Sequence, residues 1–295
     1  MKKLKTFLLS LLLLRAGNDG FTNDLKTSRE MKDIPTCILG YKDGDLLPDK
    51  TAYLTFDDGP TDWTWEILEI LKNHNVKATF FISAYWNNRQ HKIKSSFFRY
   101  KNALLRMKKE GHVIGNHTAN HRVLSFLTEE EIKHEFTLNQ SILNNTLGDE
   151  APIMTIIRPP LGYPWYKKST YETKFKVARA IQNTGIIILW TKNFDSRDSW
   201  NWVKGEWYKK SQKVDNEHPD FIEKKNAIVK RIVGDAKGQG MIILMHDSHN
   251  STVCALPEII IKLKAKGYFF ATIEDYFIWK YGKKSKDIVE QCQIK

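Results

Sequence analysis

Cysteine is scarce in this chain. Three residues in 295, Cys37, Cys254 and Cys292, lie far apart. No C-x-x-C occurs, which excludes the usual thiolate zinc sites. At most one internal disulfide can form, and an odd cysteine is then left over. Long hydrophobic runs are also missing. The apolar run Thr6–Leu14 is too short to cross a bilayer as a helix. There are no internal repeats and no low-complexity tracts, which argues against a solenoid and against a biased disordered segment. Acidic residues are outnumbered, with 34 Asp and Glu against 46 Lys and Arg and a net charge of +12. A basic surface suits nucleic acid, an acidic membrane face or an anionic polymer. The lysine pairs Lys167-Lys168, Lys209-Lys210 and Lys283-Lys284 carry no aromatic-interleaved recognition motif. No nucleic-acid partner is expected. Solvated lysine faces explain the pairs, with peripheral association with a membrane or anionic wall polymer as the sharper alternative.

What is present is enough apolar material for a core: 41% hydrophobic and 12% aromatic residues. The length allows one large domain or two small ones. Met1-Lys2-Lys3-Leu4-Lys5 is a basic start, and the short apolar run leads to Arg15-Ala16-Gly17. Residues 1–17 read as a signal peptide, although no clean A-x-A cleavage site is present. Export to the cell envelope, the periplasm or the medium follows. An uncleaved helix held at the membrane or in the cytosol is the alternative. Residues 18–50 are polar and read as a leader or linker. Residues 51–280 carry the patterned segments, and 281–295 form a basic tail.

From Thr51 strand-like and helix-like segments alternate. Residues 51–57 read as a strand. In 62–75, Trp63, Ile67, Ile70 and Leu71 recur at i, i+4, i+7 and i+8, one face of a helix. Val76–Ser83 reads as a strand, 96–110 as a helix stopped by Gly111, and His112–Asn116 as a short strand. Thr128-Glu129-Glu130-Glu131 has capping-box spacing and opens a helix to about Leu147. Strands follow at 153–158, 186–190, 241–245 and 268–272, and helices at 170–183, 219–237 and 256–266. The alternation predicts a parallel sheet covered by helices, compatible with a barrel. Asp57, Arg158 and His246 each fall at or just after the end of a predicted strand, where barrel chemistry collects.

"YLTFDDGP", residues 53–60, ends an apolar run in adjacent carboxylates, Asp57 and Asp58. A surface turn tolerates such a pair; two different duties are the sharper reading. "HTANH" places His117 and His121 four apart, which on a helical turn projects both to one side and lets them grip one metal. The spacing alone is weak, as the other close pair, His246 and His249, illustrates. A zinc hydrolase takes three protein ligands and keeps a position open. Two imidazoles and one acid from "TFDDGP" complete such a set, and spacing does not say which acid.

"TFDDGP", "HTANH", "RPPLG", "DSRDSW" and "ILMHD" occur in the order and approximate spacing of the polysaccharide deacetylases. The chain resembles that family, carbohydrate esterase family four with its NodB homology domain, over roughly residues 51–275. The resemblance implies a distorted (β/α) barrel of about seven parallel strands. It also implies a divalent metal, zinc above all, and removal of acetyl groups from acetylated sugars.

By resemblance Asp58, His117 and His121 hold the metal, and Asp57 is the general base toward the attacking water. Arg158 of "RPPLG" pairs with that base. Pro159 and Pro160 lack N–H groups, so Leu161 offers the first free amide, which in the family helps hold the oxyanion. Leu244 lines the acetyl-methyl pocket and His246 is the general acid. Asp198 supports His246 and Trp200 walls the groove. "DSRDSW" departs from the usual D-x-x-D-W by one residue, Ser199, so Asp195 and Trp202 are rival candidates. Leu161 stands where many members have an aromatic. His112 and His134 fall outside the matched positions and read as structural.

The resulting expectation is a monomeric metal-dependent deacetylase acting on N-acetylated amino sugars of peptidoglycan or a chitin-like polymer. Acetylated xylan stays open as a substrate. A carbohydrate-binding member without turnover is a second reading, motivated by the altered fourth motif. A relative that cuts formyl or cyclic amides is a third, motivated by Leu161.

Overall fold

The computed structural model describes residues 38–85, 95–166, 169–201, 206–207 and 218–292. The expected signal peptide and Trp202 lie outside these residues.

β2 (Thr51–Gly59, TAYLTFDDG) is the axis of the fold, and every residue after Thr51 in it is buried. β9 (Met241–His246) runs parallel along one edge, from Ala52 to Asp57. The other edge is shared by β10 (Phe269–Ala271), beside Thr51–Tyr53, and β3 (Thr79–Ile82), beside Thr55–Gly59. The sheet continues through β4 (Val113–Asn116), β5 (Ile156–Ile157), β6 (Ile186–Ile188) and β1 (Leu39–Tyr41). All these pairings are parallel. The sheet curls because the chain after β6 reaches the outer edge of β9. Thr191 N donates to Ile242 O at 3.1 Å and Ser196 N donates to Leu244 O at 3.0 Å. The result is the expected distorted barrel, with one strand more than the seven anticipated. The extra strand is β1.

Helices cover the outside: α1 (Thr64–Asn73), α2 (Ser96–Arg99), α3 (Lys101–Lys109), α4 (Glu129–Leu147), α5 (Tyr171–Ile181), α6 (Pro219–Asp235), α7 (Asn250–Ala265), α8 (Ile273–Tyr281) and α9 (Ser285–Cys292). β7 (Trp200–Asn201) and β8 (Glu206–Trp207) form a separate antiparallel pair. Among the described residues no helix is long and apolar enough to cross a membrane.

Two apolar layers follow from strand alternation. Ala52, Leu54 and Phe56 of β2 and Met241, Ile243 and Met245 of β9 pack outward with α1 and α7 side chains such as Leu68 and Leu256. Tyr53, Ile242 and Leu244 pack inward with Phe81, Ile156, Ile188 and Trp190. Each buried Leu, Ile, Phe or Met side chain among them contributes about 1.5–3 kcal/mol. Asp57 follows the inward set on β2, and His246 the inward set on β9. The fold therefore delivers an acid and an imidazole to one end of the barrel interior.

Three boundaries differ from expectation. The stretch read as linker supplies β1, with Ile38 and Tyr41 buried. The stretch read as a tail supplies α9, whose Val289 is buried and whose Cys292 is disulfide-bonded. Cys254 is a free thiol. α7 starts six residues earlier than expected, with Pro257 inside it rather than in its first turn.

Candidate metal and acid–base site

Alternation along β2 would turn Asp57 and Asp58 to opposite faces. The chain prevents this. The β2–β3 register shifts between Asp57 and Gly59, and Asp58 takes a left-handed φ of 79°. Such a bulge re-aims a side chain. Both carboxylates then face one imidazole. His117 Nε2 lies 3.8 Å from Asp57 Oδ2 and 3.6 Å from Asp58 Oδ1.

His117 and His121 do meet, but not on a helical turn as their spacing suggested. β4 ends at Asn116, and a loop with left-handed φ at Thr118 (69°) and His121 (51°) carries both rings inward. Thr118 N donates to Asn116 Oδ1 at 3.0 Å, and His121 N donates to Thr118 Oγ1 at 3.1 Å. The ring centroids are 5.0 Å apart. One ligand atom each from Asp58, His117 and His121 lies within 4.8 Å of the others.

This donor set fits a divalent cation on the protein's own evidence. Asp58 Oδ1 is buried and accepts no hydrogen bond. His121 Nε2 lies 3.1 Å from it. A buried carboxylate oxygen without a donor is costly unless a cation completes it. His117 Nδ1 lies 2.6 Å from the Arg158 carbonyl. A carbonyl only accepts, so Nδ1 carries the proton and Nε2 presents its lone pair, the usual outer support of a metal-binding histidine. Burial lowers the His117 pKa to about 4, so the ring is neutral and able to ligate. Burial alone would raise Asp58, but the neighbouring His121, with His246 and His117, carries it well below the carboxylate range. Two imidazoles and one carboxylate form a common zinc donor set.

Asp57 is held from the other side. Arg158 follows β5 and is fully buried. Its Nη1 donates to Asp57 Oδ1 at 2.9 Å and to Thr55 Oγ1 at 2.6 Å. Nε and Nη2 donate to the carbonyls of Ile188 and Leu189, and the guanidinium lies 4.1 Å over the Phe81 ring. A guanidinium fixed in this way orients one carboxylate oxygen and leaves the other facing His117.

At the end of β9, His246 Nδ1 is 2.7 Å from Asp198 Oδ1, and His246 N donates to Asp198 Oδ2 at 2.6 Å. Thr252 Oγ1 donates to the same Oδ2 at 2.6 Å. Burial would lower the His246 pKa, but Asp198, with Asp58 and Asp57 beyond it, raises it to about 10. Burial would likewise raise Asp198, and His246 reverses this and holds the acid well below the usual range. Ser199 therefore does not displace Asp198. The rival Asp195 instead accepts from Arg197 N at 2.9 Å and bridges to Leu244.

Leu244 is buried on the interior face that His246 also follows. Leu161 has a left-handed φ of 56° and an exposed side chain. Its N–H donates to no acceptor among the described residues. Trp200 is half-buried at the start of β7. His112 accepts from Ala78 N at 3.1 Å away from the cluster, in keeping with a structural role.

Comparison with known proteins places this geometry. The family model described as polysaccharide deacetylase matches residues 45–181. A peptidoglycan-N-acetylglucosamine deacetylase of Bacillus cereus is 31% identical over 226 residues, covering 75% of this chain and 68% of the relative. The putative polysaccharide deacetylase YheN of Bacillus subtilis is 30% identical, covering 88% of this chain and 80% of that one. The structure of the peptidoglycan deacetylase PdaC from Bacillus subtilis superposes with a TM-score of 0.57 at 28% identity, covering 82% of this chain and 97% of that one. This chain belongs to the polysaccharide deacetylase family. It is a deacetylase of the NodB type, a carbohydrate esterase, and the enzymes of its family are metal-dependent.

Some residues of this polysaccharide deacetylase site escape sequence reading. Asp247, fully buried, accepts from Thr64 Oγ1 at 2.7 Å, and Thr61 Oγ1 donates to its carbonyl. It ties the loop after Asp58 to the end of β9. Burial pushes its pKa up to about 7. Gly59 leaves the room: a Cβ there would fall 2.0 Å from Asp247 Oδ2. Glu135 and Asn139 sit among Ile132, Phe136 and Leu143 on the buried face of α4. Polar residues on an otherwise apolar stripe were the available signal.

Proposed function

We propose that this polysaccharide deacetylase is a metal-dependent amidohydrolase. It removes N-acetyl groups from amino sugars of a wall polymer, peptidoglycan first, and releases acetate. The observation that carries the reading is the meeting of the buried Asp58 Oδ1 with two imidazole nitrogens, beside a second carboxylate held by Arg158. Asp58, His117 and His121 would hold the cation, and zinc suits them. When bound, a divalent cation supplies Lewis acidity and makes water a stronger nucleophile near neutral pH.

The chain's own residues divide the proton work. Asp57, oriented by Arg158, accepts the proton of the water that attacks the acetamide carbonyl. Leu161 N–H donates to the carbonyl oxygen as it gains charge. His246, kept protonated by Asp198, delivers a proton to the departing nitrogen, so the C–N bond breaks and the amine and acetate separate. Leu244 receives the acetyl methyl group and Trp200 flanks the sugar. Peptidoglycan as substrate is supported by the names of the Bacillus relatives and by the basic charge. Export to the envelope accords with the basic, then apolar, N-terminus.

The test is acetate release from a panel of peptidoglycan, N-acetylglucosamine oligomers, acetylated xylan, and formylated or cyclic amides. Release from peptidoglycan above the others is expected. Glycan binding without release would replace this reading with a carbohydrate-binding one, and turnover of formylated or cyclic amides alone would replace the substrate class.

A further inference from the structure

The loop Thr118–His121 carries the two imidazoles through two left-handed residues that are not glycine. Such conformations cost about 1 kcal/mol or more each and persist where surrounding bonds over-determine them. Each N–H of the loop has a partner. Thr118 N goes to Asn116 Oδ1 and His121 N to Thr118 Oγ1. The two between them go to one residue of α4. Ala119 N donates to the Glu135 carbonyl at 3.0 Å, and Asn120 N donates to Glu135 Oε2 at 2.8 Å. Asn120 Nδ2 donates to the other carboxylate oxygen at 3.1 Å. The Glu135 side chain is almost fully buried, at 2% exposure, with Arg122 Nη1 3.9 Å away.

A buried carboxylate is expensive, and hydrophobic packing of α4 does not require one. Ile132, Phe136 and Leu143 already supply that packing. The carboxylate's two oxygens are spent on the residue immediately before His121. We infer that Glu135 is a positioning residue for the metal site, fixing the Ala119–Asn120 turn so that His121 meets Asp58. It would act through this turn rather than by contact with substrate or cation. The inference rests on Asp58, His117 and His121 forming the cation site.

The test compares the parent, Glu135→Gln and Glu135→Met for zinc affinity by chelator competition, and for the visible spectrum with cobalt(II). The thermal midpoint of each metal-free protein is measured alongside. Glu135→Met leaves the Asn120 donors without acceptors, and its zinc dissociation constant should rise about 10- to 100-fold. The cobalt bands should weaken or shift. Glu135→Gln can keep both contacts if the Asn120 amide turns over, and it should fall between parent and Met. A role confined to folding would lower the metal-free midpoint and leave zinc affinity alone. Parental zinc affinity in both variants overturns the inference. If Glu135→Met does not fold, parental affinity and cobalt bands in Glu135→Gln overturn it. A parent that binds no zinc overturns the cation-site reading itself, a distinct outcome.

Discussion

Two aspartates of the site, Asp198 and Asp58, face imidazoles in opposite ways. Around Asp198 every acceptor is used: the His246 ring and backbone N–H and the Thr252 hydroxyl all converge on its two oxygens. Around Asp58, Oδ1 has no donor, although two imidazoles crowd it. A saturated carboxylate pins a ring and raises its pKa. An unsaturated one, beside the His117 ring that burial keeps neutral, suits a cation. Under the proposed function, the same two residue types would serve proton transfer in one place and ligation in the other. What differs is the set of neighbouring donors.

Substitutions can break this contrast in order of size. His117→Ala should have the largest effect: bound metal is lost and acetate release falls to background. Elemental analysis and an acetate assay check it, and full occupancy would contradict the ligand assignment. Asp57→Asn should keep the metal and lose about 10²- to 10⁴-fold in turnover, the worth of a general base. An unaltered rate would remove Asp57 from that role.

Asp198→Asn should keep the metal, slow turnover by about 10²-fold and move the basic limb of the pH–rate profile down. The sign follows from the raised His246 pKa of about 10. The stabilisation of the imidazolium by Asp198 is fully present below the ordinary histidine value of 6.5 and is lost as pH rises through about 10. Without the carboxylate, burial is opposed only by the more distant Asp58 and Asp57, and the ring deprotonates at lower pH than in the parent. A limb that stays in place would detach Asp198 from His246. Trp200→Ala should have the smallest effect, about 2- to 10-fold in kcat/KM with kcat nearly kept, matching an aromatic contact of about 0.5–1.5 kcal/mol. A purely structural Trp200 would instead lower thermal stability and leave KM alone.

The sequence was most legible where local chemistry decides the outcome. Thr128 and Glu131 form the capping box, and α4 ends at Leu147 as expected. Strand alternation placed Leu244 and His246 on one face. It was least legible where the outcome depends on backbone partners distant in the chain. The division between Asp57 and Asp58 needs the bulge against β3, which no local pattern announces. The histidine spacing suggested a helical turn, but Glu135 and Asn116 hold those N–H groups in a loop. β1 is three residues long, below what periodicity can detect, and α7 runs through Pro257, a residue more usual in a first turn. The motifs pointed to the side chains that cluster; the supports around them, Thr55, Thr252, Asp247 and Glu135, emerged only from contacts across the fold.

The central claim is that Asp58, His117 and His121 converge on one cation. An anomalous-difference map at the zinc edge, from crystals grown with zinc, tests it most directly. One peak within bonding distance of Asp58 Oδ1 and both imidazole Nε2 atoms is predicted. A zinc peak elsewhere, with these three side chains unliganded, would contradict the account.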